Sequence, residues 1–284
     1  MTNLGRRATL FSILANSVLF CLKFTVGMIS GSLALLSDAM NSFSDTVYSI
    51  AIYIAVKLSG QKADADHPFG HHRAEPIAGL LIAMLAGILG AEIIKTGIMG
   101  IVEGATYSFS LLAVAVLAFT MGLKSFMWLY FRTVAKTIRS PAIAATSIDC
   151  RNDVLVSFIA MLGVSSSFFN LPSFDSYAAI AIGLFILHSG YKIGIENIDY
   201  LMGKTPNKEV LDEITKKTLA IPGVKGVHDI KAHYVGNFIH VQIHIEVSKD
   251  LKATEAHDIG DLVQKAVERM PSVDRAFVHI DPKR

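Results

Sequence analysis

Charged residues are scarce in this sequence. Asp, Glu, Lys and Arg make up 18% of the 284 residues, and hydrophobic residues make up 52%. Soluble globular proteins carry about 25% charged residues, and a mean hydropathy of +0.47 likewise indicates a protein that lies in a lipid bilayer. The formal net charge is only +2, and nothing in the composition indicates a nucleic-acid partner.

Cysteine is also rare, and a familiar metal-enzyme motif is missing. The two cysteines, Cys21 and Cys150, both lie in apolar runs, and no C-x-x-C pair is present. This pattern excludes a disulfide framework and a thiolate metal site, and it predicts two buried thiols. The H-E-x-x-H motif of zinc peptidases is absent as well, so we expect neither an enzyme nor a bound prosthetic group.

Long apolar runs, in contrast, fill most of the chain. Residues 1–204 alternate such runs with short polar joints, whereas residues 205–284 are rich in Lys, Glu, Asp and His. We therefore predict an all-α membrane domain over residues 1–204 and a soluble domain over residues 205–284. At about 20 apolar residues per crossing, the first domain has six predicted transmembrane helices, at 9–29, 34–58, 76–100, 109–132, 142–168 and 175–199.

The joints between these runs indicate orientation. Basic residues precede the first run, at Arg6 and Arg7, and recur at the second and fourth joints and after the sixth run. The first, third and fifth joints carry no Lys or Arg. Because Lys and Arg are enriched in cytoplasmic loops, we expect a multi-pass protein of the cell membrane, inner or plasma, with both termini in the cytoplasm.

The second and fifth runs each contain two polar residues four positions apart. Asn41 and Asp45 form the first pair, and Asp149 and Asp153 form the second. An intramembrane carboxylate costs about 2.5 to 3.5 kcal/mol on insertion scales, so it usually faces a pathway or a bound ion. Residues four apart share one face of a helix. A cap or an interhelical hydrogen bond explains a single such residue, but two matched pairs favour one cation held between two facing helices.

Other ionisable residues also occur in or near the apolar runs. Asp38 lies seven residues before Asp45, close to the same helical face. It is a candidate for supporting a metal ligand or relaying a proton, and packing or gating explains it equally well. We assign structural roles, in pairs or at helix ends, to a further group: Lys23, Glu92, Lys95, Lys124 and His188.

The joint between the second and third runs contains two histidines four positions apart. His67 and His71 follow Asp64 closely, and Pro68 and Gly70 favour a sharp turn that would bring the side chains together. Imidazole and carboxylate groups in such a cluster are typical metal ligands. A solvated polar loop with helix-capping residues is an equally good interpretation of the same pattern.

Residues 205–284 have the pattern of a small α+β domain in the order α-β-β-α-β. Apolar periodicity predicts helices at 209–220 and 254–270 and strands at 224–234, 238–247 and 276–280. Alternation in the second strand places His240, Gln242, His244 and Glu246 on one face. Such histidines are often ordinary surface residues, yet metal binding is equally plausible because several candidate ligands fall in different elements: His228, His244, His257, His279 and Asp281.

The chain resembles the cation diffusion facilitator family over almost its whole length. The matching motifs are L-L-S-D-A-M-N-S-F-S-D at 35–45, H-P-F-G-H at 67–71 followed by Arg73-Ala74-Glu75, and the pair at 149 and 153. The resemblance implies six transmembrane helices, then a ferredoxin-like αββαβ cytoplasmic domain that forms a homodimer. It implies export of a divalent metal from the cytoplasm in exchange for protons, by alternating access.

The resemblance also assigns roles to the candidate residues. It places the transport site at Asn41, Asp45, Asp149 and Asp153. It places a loop site at His67 and His71 with Asp64. It places a cytoplasmic site, where metal would bridge or stiffen the dimer, at His228, His244, His257, His279 and Asp281.

The expected metal follows from the ligand types. Zinc carriers of the family usually have His at the first position of one or both pairs, whereas Asn41 and Asp149 stand there in this chain. Oxygen ligands suit Mn²⁺ better than imidazole does, and the set resembles the manganese-exporting branch. The alternatives are a zinc, iron or cobalt exporter, or a membrane-anchored metal sensor without transport. Three carboxylates in a low-dielectric cavity repel one another, so we expect proton binding in exchange for the metal.

Overall fold

The computed structural model describes residues 3–59, 61, 63–104, 110–138, 141–169, 171, 173–236 and 238–283. Within these residues the chain forms six long helices, then two shorter helices and three strands. The long helices are α1 Asn3–Ser30, α2 Leu33–Ser59, α3 Ala74–Val102, α4 Leu111–Ile138, α5 Pro141–Ser166 and α6 Ser173–Leu201, with a short 3-10 helix at Ser167–Phe169. Each predicted membrane run overlaps one of these long helices, although residue 109, where the fourth predicted run begins, lies outside the described residues.

Four of the long helices are apolar and long enough to cross a membrane, counted over the described residues. Their spans are Leu10–Ser30, Ala74–Val102, Leu111–Thr137 and Ser173–Leu201. The two others, α2 and α5, carry the polar pairs of the predicted metal site. These polar residues lower the mean hydropathy of both helices, so the residues that suggest a function also weaken the membrane signal.

The chain divides into two compact units. One unit comprises residues 1–54 and 79–194, and the other comprises residues 55–78 and 195–284. The first unit therefore holds most of the helical bundle, including the predicted transport site. The second holds the loop between α2 and α3 together with the C-terminal strands and helices.

The start of α2 is capped by a side chain from α6. Oδ2 of Asp175 accepts hydrogen bonds from the backbone N–H groups of Leu33, at 2.6 Å, and Ala34, at 3.3 Å. Its Oδ1 accepts a hydrogen bond of 2.6 Å from the hydroxyl of Ser32. A carboxylate at a helix N-terminus satisfies free N–H groups and complements the helix dipole. This buried contact fixes the end of the helix that carries Asn41 and Asp45.

Small residues bring the helices of the bundle close together. A Cβ atom added at Gly90 of α3 would lie 2.9 Å from the carbonyl oxygen of Gly183 in α6, so only glycine permits this approach. Cys150 is buried beside α4, as the sequence predicts, but Cys21 is exposed. The expectation of two buried thiols is wrong for Cys21, because an apolar run that faces lipid exposes its side chains.

The C-terminal unit contains the predicted α-β-β-α-β order. It consists of α7 Lys208–Leu219, β1 Gly226–Val235, β2 Phe238–Ser248, α8 Ala253–Glu268 and β3 Val273–Lys283. The sheet order is β1-β2-β3, with β1 antiparallel and β3 parallel to β2. The buried residues of β2, among them Ile239, Val241 and Ile243, form the core beneath both helices. The third strand is longer than predicted at both ends.

One member of the polar face of β2 is buried. His240 is only 6% exposed, and its Nε2 lies 3.2 Å from Oδ2 of Asp274. Burial lowers the pKa of His240 below its usual value, despite the raising effect of Asp274. The ring of Phe69, from the loop before α3, lies 5.7 Å from the imidazole. This loop contact covers a histidine that strand alternation alone would leave at the surface.

Candidate functional site

The two polar pairs lie on α2 and α5 and meet through one hydrogen bond. Nδ2 of Asn41 donates to Oδ1 of Asp153 at 3.0 Å. Both of these side chains are buried, Asp45 is half-buried, and Asp149 is exposed. The structure therefore brings the second position of the α5 pair against the first position of the α2 pair, as expected if the two helices share one site.

A lysine from α4 also enters this group. Nζ of Lys124 lies 3.4 Å from Oδ2 of Asp45 and donates a hydrogen bond to Oδ2 of Asp153. Lys124 is 1% exposed, so its charge has little contact with solvent and depends on these carboxylates. We expected Lys124 to have a structural role, in a pair or at a helix end, and the structure pairs it with two of the predicted metal ligands.

The three carboxylates of the predicted transport site do not converge as closely as those of a preformed metal cluster. Among the described residues, the sets whose ligand atoms all lie within 4.8 Å of one another are in the loop and in the C-terminal unit. Asp45 and Asp153 instead share the ammonium group of Lys124. A divalent cation between these two carboxylates would require the lysine to move.

A second buried lysine lies nearby and has a different partner. Nζ of Lys23, in α1, lies 2.8 Å from Oδ2 of Asp38 and donates to the hydroxyl of Ser42 at 3.0 Å. The hydroxyl of Ser157, in α5, donates to the same carboxylate oxygen at 2.9 Å. Lys23 and Asp38 are both almost fully buried. This ion pair joins α1 to α2, the hydroxyl of Ser157 adds α5, and together they fix the face of α2 on which Asn41 lies.

The loop candidates do come together. Oδ1 of Asp64 lies 3.3 Å from Nδ1 of His67, and Oδ2 of Asp64 lies 3.5 Å from Nε2 of His71. The pKa of Asp64 lies below its usual value, chiefly because the backbone N–H of His67 donates a hydrogen bond to the carboxylate. The nearby imidazoles of His71 and His67 lower this pKa further. The carboxylate is half exposed, so the set is open to solvent. Its geometry permits one divalent ion with two nitrogen ligands and one oxygen ligand.

The C-terminal candidates form a row across the sheet. Strand register pairs His228 with His244 and His244 with His279. Oδ2 of Asp281 lies 3.3 Å from Nε2 of His228 and 3.2 Å from Nδ1 of His244, and its Oδ1 lies 3.4 Å from Nε2 of His279. Asp281 therefore lies beside three imidazoles, but the ligand atoms that all lie within 4.8 Å of one another are those of His228, His244 and Asp281. This smaller set suits a borderline-soft divalent metal.

His257 lies apart from this row. It is on α8, its side chain is 74% exposed, and its Nδ1 is 3.9 Å from Oδ1 of Asp261 on the same helix. The helix covers one face of the sheet and directs His257 away from it. Within one chain, the structure thus brings together four of the five C-terminal candidates.

The chain combines a bundle of apolar helices that has buried charges between them with a small domain that carries a cluster of histidines and a carboxylate. These features are typical of a membrane protein that binds or transports cations. Comparison with known families agrees with this class. Residues 9–202 match the cation efflux transmembrane domain, and residues 206–283 match the cytoplasmic domain of cation efflux proteins. The chain belongs to the cation efflux family, the cation diffusion facilitators, which confirms the resemblance seen in its motifs.

Related proteins match along nearly the full chain. An uncharacterized transporter of Methanocaldococcus jannaschii is 35% identical over 272 residues, covering 96% of both chains. The manganese efflux system protein MneS of Bacillus subtilis is 31% identical over 279 residues, covering 98% of this chain and 96% of its own. The cation-efflux pump FieF of Cronobacter sakazakii is 27% identical over 277 residues, covering 97% and 92%. The protein is therefore a cation efflux transporter of the membrane, and its family consists of transporters rather than enzymes.

Proposed function

We propose that the protein exports Mn²⁺ from the cytoplasm across the cell membrane in exchange for protons, by alternating access. In this proposal all six long helices cross the membrane, residues 1–204 form the transport domain, and both termini are cytoplasmic. Residues 205–284 form the cytoplasmic domain through which two copies make a homodimer. The observation that carries the proposal is the meeting of two oxygen-only pairs through Asn41 and Asp153.

The choice of manganese rests on ligand chemistry. Asn41, Asp45, Asp149 and Asp153 offer amide and carboxylate oxygens, which suit a hard cation with several oxygen ligands. MneS, a relative with a similar length, is described as a manganese efflux protein. The Irving-Williams order favours Zn²⁺ over Mn²⁺ at most sites, so manganese selectivity also depends on the number and geometry of ligands.

Proton exchange follows from the charge of the site. Three carboxylates and one lysine leave two negative charges, which one divalent cation neutralises. When the metal leaves this low-dielectric site on the outer side of the membrane, protons from that side bind the carboxylates and restore the balance. We propose that Asp38, held by Lys23, supports this site by positioning α2.

The two other clusters have accessory roles in this proposal. The loop set of Asp64, His67 and His71 binds a metal ion near the cytoplasmic end of the pathway. The C-terminal set of His228, His244, His279 and Asp281 binds a divalent metal that stiffens the dimer and regulates transport. His257 joins such a site only through a rearrangement or a second copy of the chain.

Metal flux in sealed vesicles tests the proposal. We expect purified protein in proteoliposomes to move Mn²⁺ when a pH gradient is imposed, with protons moving the opposite way. Flux that ignores the gradient would indicate uniport or another coupling ion. Absence of flux would favour a metal sensor, and Zn²⁺, Fe²⁺ or Co²⁺ flux without Mn²⁺ flux would reject manganese but retain the transporter.

A double substitution tests the metal assignment. We expect Asn41→His with Asp149→His to shift the Mn²⁺ to Zn²⁺ flux ratio at least about tenfold toward zinc, because imidazole favours zinc at low coordination number. The measurement is Mn²⁺ and Zn²⁺ flux under one pH gradient. His188→Gln, which changes a histidine of α6 outside the two polar pairs, is the control and should leave the flux ratio unchanged. An unaltered flux ratio in the double variant would show that residues 41 and 149 do not determine metal selectivity.

A further inference from the structure

Lys124 lies where a divalent cation would lie. Its ammonium group is within hydrogen-bonding distance of one oxygen of Asp45 and one oxygen of Asp153. The other oxygen of Asp153 accepts from Asn41. The lysine thus engages a carboxylate from each of the two pairs, on α2 and on α5, from a third helix.

We propose that Lys124 is a tethered competitor of the transported metal, which binds the same carboxylates and is displaced when the metal enters. This inference rests on the proposed transport site and deepens it. An ammonium group has three donors and no lone pair, so it cannot coordinate the metal itself, and its positive charge repels a divalent cation that approaches the same carboxylate oxygens. Its flexible four-carbon stem allows the charge to withdraw without movement of α4.

The second buried lysine shows that this arrangement goes beyond packing. Lys23 and Lys124 are equally buried, at 1% exposed. Lys23 has one carboxylate, Asp38, and completes its hydrogen bonds with the hydroxyls of Ser42 and Ser157. Lys124 instead bridges two carboxylates that are both candidate metal ligands. A lysine that only joined two helices would need a single carboxylate partner, as Lys23 has in Asp38.

Competition of this kind serves a carrier better than it serves a storage site. A carrier must release its cargo in every cycle, and a site with three unopposed carboxylates would hold a divalent ion tightly. A tethered cation weakens binding by charge repulsion and by competition for oxygens. It also refills the site as the metal departs, which lowers the cost of leaving several carboxylates together without a partner.

Equilibrium binding of Mn²⁺ to the full-length protein in lipid nanodiscs tests the inference. All samples carry His67→Ala and His244→Ala, which weaken the loop and C-terminal clusters, so that the bundle dominates the titration. We expect Lys124→Met to bind Mn²⁺ at least about tenfold more tightly and to turn over more slowly in vesicles. Lys124→Gln, which keeps a neutral donor, carries the same expectation if the Met variant does not fold.

Two further variants give the direction of the effect. Lys124→Arg keeps the charge and adds a fork that binds carboxylates well, so its affinity for Mn²⁺ should equal or fall below that of the parent. Lys95→Met removes a lysine that pairs with Glu92 on its own helix, α3, outside the α2 and α5 pairs, and should leave the Kd within about twofold.

The possible outcomes separate this inference from the transport site itself. If Asp153→Asn abolishes the titrated binding but neither neutral Lys124 variant tightens it, the competition is overturned and the site is retained. Equal tightening by Lys124→Arg would also overturn it. Binding that survives Asp153→Asn would overturn both the site and the competition.

Discussion

Asp153→Asn is expected to reduce Mn²⁺ flux at least about a hundredfold while the protein stays folded. Asp153 is the point where the two polar pairs meet, since one oxygen accepts from Asn41 and the other from Lys124. Loss of groups that merely support metal ligands costs about 10- to 100-fold in affinity or activity, so loss of a ligand should cost at least as much. Asparagine preserves the shape of the side chain and removes its charge.

The matched control for this substitution is Glu92→Gln. Glu92 lies on α3, and its exposed carboxylate pairs with Lys95, so the change removes the same charge from the bundle outside the site. Mn²⁺ flux should remain within about twofold of the parent, because Glu92 pairs with a residue of its own helix and shares no partner with the α2 and α5 pairs. If purified Asp153→Asn transports Mn²⁺ at the parental rate, the α2 and α5 pairs are not the transport site.

The element order of this chain follows from sequence patterns that are local. Runs of about 20 apolar residues locate all six long helices, and alternation with turn signals locates the three strands within a few residues. The histidine row also has a local basis. Once β2 is placed between β1 and β3, register sets His228 and His279 on either side of His244.

The partners of the buried charges could not be predicted in the same way. Lys124 and Asp153 are 29 residues apart, and Ser32 and Asp175 are 143 apart. Spacing along one helix says which residues share a face, but says nothing about which helix that face meets. One signal was available: an intramembrane lysine needs a counter-charge, and unpaired carboxylates lay on neighbouring runs.

Breaking the ion pair between Lys23 and Asp38 is expected to destabilise the protein strongly. Lys23→Met leaves a buried carboxylate without a counter-charge, and Asp38→Asn leaves a buried ammonium group; each should cost about 3 to 5 kcal/mol. The double variant, Lys23→Met with Asp38→Asn, removes both charges of this pair, and its asparagine still accepts the hydrogen bond from Ser157. We expect the double variant to recover most of the loss, measured by thermal unfolding in detergent.

Transport by the same double variant separates two roles of Asp38. If the pair only positions α2, Mn²⁺ flux should recover together with stability, because the helix returns to its place. If Asp38 relays protons, stability should recover while flux stays low, because asparagine cannot carry a proton through the cycle. A double variant that loses the sum of the two single losses would show that the two residues do not stabilise each other, despite the 2.8 Å distance between Nζ and Oδ2. Flux that follows stability across all three variants is the result that a positioning role requires.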